Sequence, residues 1–194
     1  MSHSRQIGVY SALEINGETR PVKDMLKVAS KRYPAVLDRS RLSVTLTEPA
    51  ETVIDVMTDI DEAASLHVSR NILEFLGRAP LSAFVLQPDQ QRLKKFGNFL
   101  AVPLVNCEAI RYLRDEIDEI YHTVTLRHLS DASYEPHLSI VQSRGKPRPK
   151  KELPEHQPHF PNLHVRGFSV GQSDLTQHPH RQRSRQSYVN KPRR

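Results

Sequence analysis

The sequence holds a single cysteine, Cys107, which excludes an internal disulfide. No run of apolar residues is long enough to span a bilayer, and the stretch from Met1 to Gln6 is polar, without the apolar region of a secretory signal. A soluble, intracellular protein is expected. Repeats of solenoid period are also missing, which sets aside stacked-repeat architectures. His156, His159, His178 and His180 lack cysteine partners and a rigid frame, so no structural zinc site is predicted and no metal or other cofactor is implied.

The 194 residues leave room for one ordinary domain and a tail. Charge and proline are shared unequally between the two. Of the 28 Lys and Arg residues, 12 lie in 144–194, with only 3 of the 22 acidic residues, 7 of the 14 prolines and 5 of the 10 histidines. That composition favours an open, solvated chain. Residues 1–143 are therefore read as the domain, and 144–194 as a basic Pro/His-rich tail, mostly disordered, with one strand returning at 163–170. A basic tail on a mildly acidic body attracts polyanions through counterion release, which makes RNA or DNA the expected partner class without selecting a sequence. The run Lys146-Pro147-Arg148-Pro149-Lys150-Lys151 has the composition of a nuclear address, a frequent and unspecific pattern. Nothing indicates an oligomer, and a monomer is the default.

Ile7 to Ile15 predicts an opening strand closed by Asn16-Gly17, and Val22, Met25, Leu26 and Ala29 keep helical spacing after Pro21. Leu42, Val44 and Leu46 alternate with Ser43, Thr45 and Thr47 as a second strand. From Ala50 to Leu76 there is neither proline nor glycine, and Val53, Met57, Ile60 and Ala64 form a helical stripe. Two endings of that helix are open: near Ser65, with Leu66 to Asn71 a strand, or beyond it, with His67 on the helix. Leu81–Leu86 and Phe99–Val105 predict a strand pair, and Cys107–Tyr121 the clearest helix. Tyr134–Val141 predicts a strand beginning through Pro136, since proline suits a strand's first position.

Two short motifs carry the chemistry, Leu66-His67-Val68-Ser69 and Pro136-His137-Leu138-Ser139. In a strand, residues i and i+2 share a face, so each presents an imidazole beside a hydroxyl. Two such strands side by side would handle a phosphate: one imidazole accepts a proton from the nucleophile and the other gives one to the leaving oxygen. A lone His-x-Ser arises often by chance; the intervening helix and the flanks of the second motif strengthen the pairing. Tyr134 could stack on a nucleobase or pack in the core. His122 and His128 follow the long helix, where the helix dipole suffices to explain His122. Arg92, Lys94 and Lys95 could meet phosphates, although such a cluster is usually solvated charge.

The order of strand, helix, His-x-Ser, strand pair, long helix and second His-x-Ser resembles the 2H phosphoesterase superfamily over roughly residues 7–141. Tyr134-Glu135-Pro136-His137-Leu138-Ser139-Ile140 is similar to the family's second-motif pattern. Leu66-His67-Val68-Ser69, Phe99-Leu100-Ala101-Val102 and the long helix look most like the branch that trims spliceosomal snRNA 3′ ends. The resemblance implies an α+β, bilobal fold in which two antiparallel sheets form a central groove with helices outside. It also implies metal-independent phosphodiester cleavage at RNA 3′ ends, with 2′,3′-cyclic nucleotides as alternative substrates and a catalytically degenerate RNA- or protein-binding domain as the non-enzymatic alternative. On this reading His67 and His137 are the acid and base, Ser69 and Ser139 bind the phosphate, and Tyr134 contacts a base. A competing alignment takes Leu42-Ser43-Val44-Thr45-Leu46 as the first motif, with Ser43 in the histidine's place and His67 on the following helix.

Overall fold

The computed structural model describes residues 5–32, 36–89, 93–96, 99–105, 107–129, 134–142 and 160–176. Its elements are β1 (Arg5–Ile15), α1 (Arg20–Arg32), β2 (Ser43–Thr47), β3 (Ile54–Val56), α2 (Asp59–Arg78), β4 (Val85–Pro88), β5 (Lys94–Phe96), β6 (Phe99–Val105), α3 (Glu108–Thr125), β7 (His137–Gln142) and β8 (Leu163–Asp174). The result is a mixed fold of helices and antiparallel strands, as expected. Every pairing between these strands is antiparallel. The strands are joined in one hydrogen-bonded path, β2-β7-β6-β4-β8-β1-β3, which also closes through a β1–β2 pairing and carries β5 on β6. The resemblance implies two sheets; here β2, paired to both β1 and β7, joins the strands into one hydrogen-bonded network.

β1 organises the fold because its apolar residues serve one face while both of its edges are occupied. Ile7, Val9, Leu13 and Ile15 are buried. One edge pairs with β8 along Ile7–Ile15, and the other pairs with β3 at Arg5–Ile7 and β2 at Ser11–Glu14. The gap between β3 and β2 leaves Val9 without a strand partner on that edge. Thr52 fills it: its hydroxyl accepts from the Val9 N–H at 2.6 Å and donates to the Val9 carbonyl at 2.7 Å. A buried peptide group left unpaired would be costly, so one threonine replaces two ladder bonds. The same approach explains Gly8, where a Cβ would lie 2.0 Å from the Pro49 carbonyl oxygen.

α2 starts later than the apolar stripe predicts. Ile54–Val56 is strand β3, and Thr58 and Asp61 form a capping box in which each side chain serves the other's backbone N–H. Asp59, Asp61 and Glu62 place negative charge at the positive end of the helix dipole. The buried stripe is consequently Ser65, Val68, Ile72 and Leu76, and Met57 and Ile60 are left exposed. α3 ends at Leu126, whose φ of 57° makes it a left-handed cap.

β8 is the strand expected to return from the tail. It runs four residues beyond the expected 163–170 and pairs with β1 on one edge and β4 on the other. A segment whose surroundings are basic and proline-rich is thus an interior strand, with Leu163, Val165 and Val170 buried. The sheet thus includes a strand from the segment 144–194. Residues 143–159 and 177–194, which hold the basic run 146–151 and the other tail histidines, lie outside the described residues, as does Arg92. Among the described residues no helix is long and apolar enough to cross a membrane.

Candidate functional site

β7 lies between β2 and β6, and Val44 of β2 stands directly opposite Leu138 of β7. Both are fully buried. Alternation then sends Ser43, Thr45, His137 and Ser139 to the other face, where all four are half-buried. Continuing the antiparallel register sets Thr45 across from His137 and Ser43 across from Ser139. One imidazole and three hydroxyls therefore share a small polar surface.

The imidazole is held in one tautomer. His137 Nδ1 is 2.8 Å from the carbonyl oxygen of Glu135, which can only accept, so the proton resides on Nδ1 and Nε2 is the basic nitrogen. Phe96 of β5 covers one side of the ring, with centroids 3.8 Å apart and planes 10° from parallel. Lys94, two residues back on the same strand face, pairs with the Glu135 carboxylate. At the opposite margin Glu14 stands across from Ser43 in the β1–β2 register, with Arg166 at 3.5 Å from its carboxylate.

Tyr134, expected to contact a base, is engaged within the fold by its hydroxyl and by one face of its ring. Its hydroxyl donates to the Thr45 carbonyl at 2.7 Å, and the Arg114 guanidinium lies 4.2 Å from its ring centroid. Arg114 is buried; it donates to the Leu46 carbonyl and forms an ion pair with Glu51 at 2.8 Å. Burial pushes the Tyr134 phenol well above the usual tyrosine range, with the nearby Arg114 charge opposing. The phenol therefore stays neutral and works as a donor that ties the start of β7 to β2. One ring face is already taken by the guanidinium.

The structure does not bring His67 and Ser69 to this surface. Both are on α2, where residues two apart point away from each other. His67 is exposed, and its Nε2 is 3.2 Å from Asn71 Nδ2 one turn on. The helix also lies on the wrong side of the sheet. Leu138, Val44, Leu13 and Phe168 face each other across four adjacent strands, so they share one face. α2 packs there, with Gly77 against the Phe168 ring and Ser65 accepting from Gln172. His137 and Ser139 occupy the reverse face. The structure therefore does not bring His67 to His137; the β2 residues that share the face of His137 are Ser43 and Thr45.

Ser43 was legible in the sequence as the competing alignment, whereas Phe96 carried no signal because its partner is far along the chain. His122, in the last turn of α3, stacks on His128, which follows the helix, with centroids 4.1 Å apart, and His128 is bonded to Asp118.

No family model matches the sequence, and no curated protein does. Solved structures share its fold. Escherichia coli LigT complexed with 3′-AMP superposes with a TM-score of 0.51 at 14% identity, covering 90% of this chain and 100% of that one. TT0787 of Thermus thermophilus gives 0.50 at 14% identity, covering 87% and 94%. A further crystal structure described as a phosphoesterase gives 0.50 at 13% identity, covering 87% of each chain. The chain shares the fold of LigT.

Proposed function

We propose that the β2–β7 surface is a phosphodiesterase site for RNA that works with one histidine instead of two. The observation that supports this most directly is the fixed tautomer of His137, whose Nδ1–H is committed to the Glu135 carbonyl and whose Nε2 is left basic. The hydroxyls of Ser43, Thr45 and Ser139 share its face and can donate to non-bridging phosphate oxygens. The shared fold with phosphoesterases, one of them holding 3′-AMP, adds to the reading.

A single proton carrier suits a substrate whose bond is already strained. The substrate proposed is therefore the 2′,3′-cyclic phosphate at an RNA 3′ end. Water attacks phosphorus and gives its proton to Nε2; the bond to one ribose oxygen breaks, and that oxygen takes a proton from solvent, leaving a monoester. Incubating an RNA ending in a 2′,3′-cyclic phosphate and weighing the product by mass spectrometry tests this. Gain of one water by wild type and its loss in His137→Ala are expected. Equal conversion by His137→Ala, or none by wild type, would refute it.

Ser43 favours a second reading, a domain that binds RNA without turnover, because a hydroxyl cannot titrate near neutral pH in the histidine's place. Wild type would then bind the same RNA, in a salt-sensitive manner, and release it unchanged.

A further inference from the structure

Both β5 side chains that share a face reach over to the start of β7: Phe96 to the His137 ring and Lys94 to the Glu135 carboxylate. We propose that Lys94 is an exchangeable cation, parked on Glu135 without substrate and transferred to an RNA phosphate next to the one handled at His137. The proposal rests on the RNA reading above and adds its substrate class: an oligonucleotide rather than a lone nucleotide. Three observations lead to it. Lys94 and Glu135 are roughly half exposed, at 48% and 43%, and an ion pair this open to water is weak and readily gives up a partner. Phe96 brings β5 against the imidazole, so the ammonium is held near the reacting position instead of on a remote surface. Lys94 pairs with Ala101, which pairs with Ser139, so the lysine shares the hydroxyl-lined face. A lysine reads a phosphate as a point charge, without the geometry that base recognition demands, so the site would distinguish chain length and not sequence.

The two partners predict effects of opposite sign. Removing the lysine deletes the phosphate contact, whereas neutralising the glutamate frees the lysine for substrate. The experiment measures binding of a short RNA carrying a 3′-phosphate, and of 3′-AMP, to the full chain by competition at several salt concentrations. In Lys94→Gln the preference for the oligonucleotide over 3′-AMP is expected to fall about tenfold, and the salt slope to shrink by about one. In Glu135→Gln the oligonucleotide is expected to bind several-fold more tightly. Equal weakening in both variants would show a structural ion pair, and no change in either would show an idle one; both outcomes overturn the proposal while leaving the RNA site standing. Failure of wild type to bind either probe removes the RNA reading and this proposal together.

Discussion

Phe96 lies flat on the imidazole of His137, 3.8 Å away and 10° from parallel, although the two residues are 41 positions apart. The phenyl ring fixes the plane of the histidine, and the Glu135 carbonyl on Nδ1 fixes its tautomer. Misplacing a proton-transfer group costs rate more than affinity. Phe96→Ala is expected to lower kcat on a cyclic-phosphate RNA about tenfold with KM little changed, and Phe96→Tyr to restore most of it. Steady-state kinetics of the two variants checks this; a loss confined to KM would contradict the positioning role.

His137 and His67 should respond oppositely to truncation. General acid–base groups contribute roughly 100-fold or more. His137→Ala should lose at least that much turnover, while His67→Ala, exposed on the far side of the sheet, should stay within about twofold of wild type.

Ser43→His offers a gain-of-function test. It places an imidazole on β2 across from Ser139, on the face that holds His137. A second proton carrier should raise turnover by roughly 10- to 100-fold and make its pH dependence bell-shaped. A variant that folds normally, by its melting curve, yet gains nothing would show that the β2 position does not face the reacting phosphorus.

Arg114 joins α3, the Leu46 carbonyl, Glu51 and the Tyr134 ring. Removing one partner of a buried pair strands the other, so Arg114→Ala should destabilise the protein by about 3 kcal/mol. Tyr134→Phe loses only the hydrogen bond to Thr45 and should cost about 1 kcal/mol. Urea denaturation measures both.

Acid should weaken the fold through carboxylates held by hydrogen bonds, Asp61 and Asp174 among them. The Met57 backbone N–H, then the Thr58 side chain, hold Asp61 below the ordinary aspartate value of 3.8; the Thr176 hydroxyl does the same for Asp174. A carboxyl whose folded value is depressed stabilises above its unfolded value, and that contribution is lost as pH falls through the folded value. The contribution of these two groups should therefore be constant above about pH 5 and decline below about pH 4. Asp61→Asn should flatten the acid limb of a melting-temperature profile.

Much of the fold was legible in local pattern. The alternation of Leu42 to Thr47 and the spacing of Ile110, Leu113 and Ile117 define β2 and α3, because a half-buried strand and an amphipathic helix each impose their own period. The stripe Val53, Met57, Ile60, Ala64 was misleading for the same reason: helical spacing recurs by chance, and the Thr58–Asp61 cap and the open edge of β1 decided where the helix begins. β8 was partly hidden, since composition averages over a segment while a strand needs only its own alternating residues.

The residues at 137–139 by themselves determined that an imidazole and a hydroxyl would share one strand face, since that follows from a period of two. Which second motif stands beside them was decided only by strand pairing across more than 90 residues, which placed Ser43 and Thr45 there and put His67 behind the sheet. Periodicity is a property of neighbours in the chain, whereas a site is built by neighbours in space.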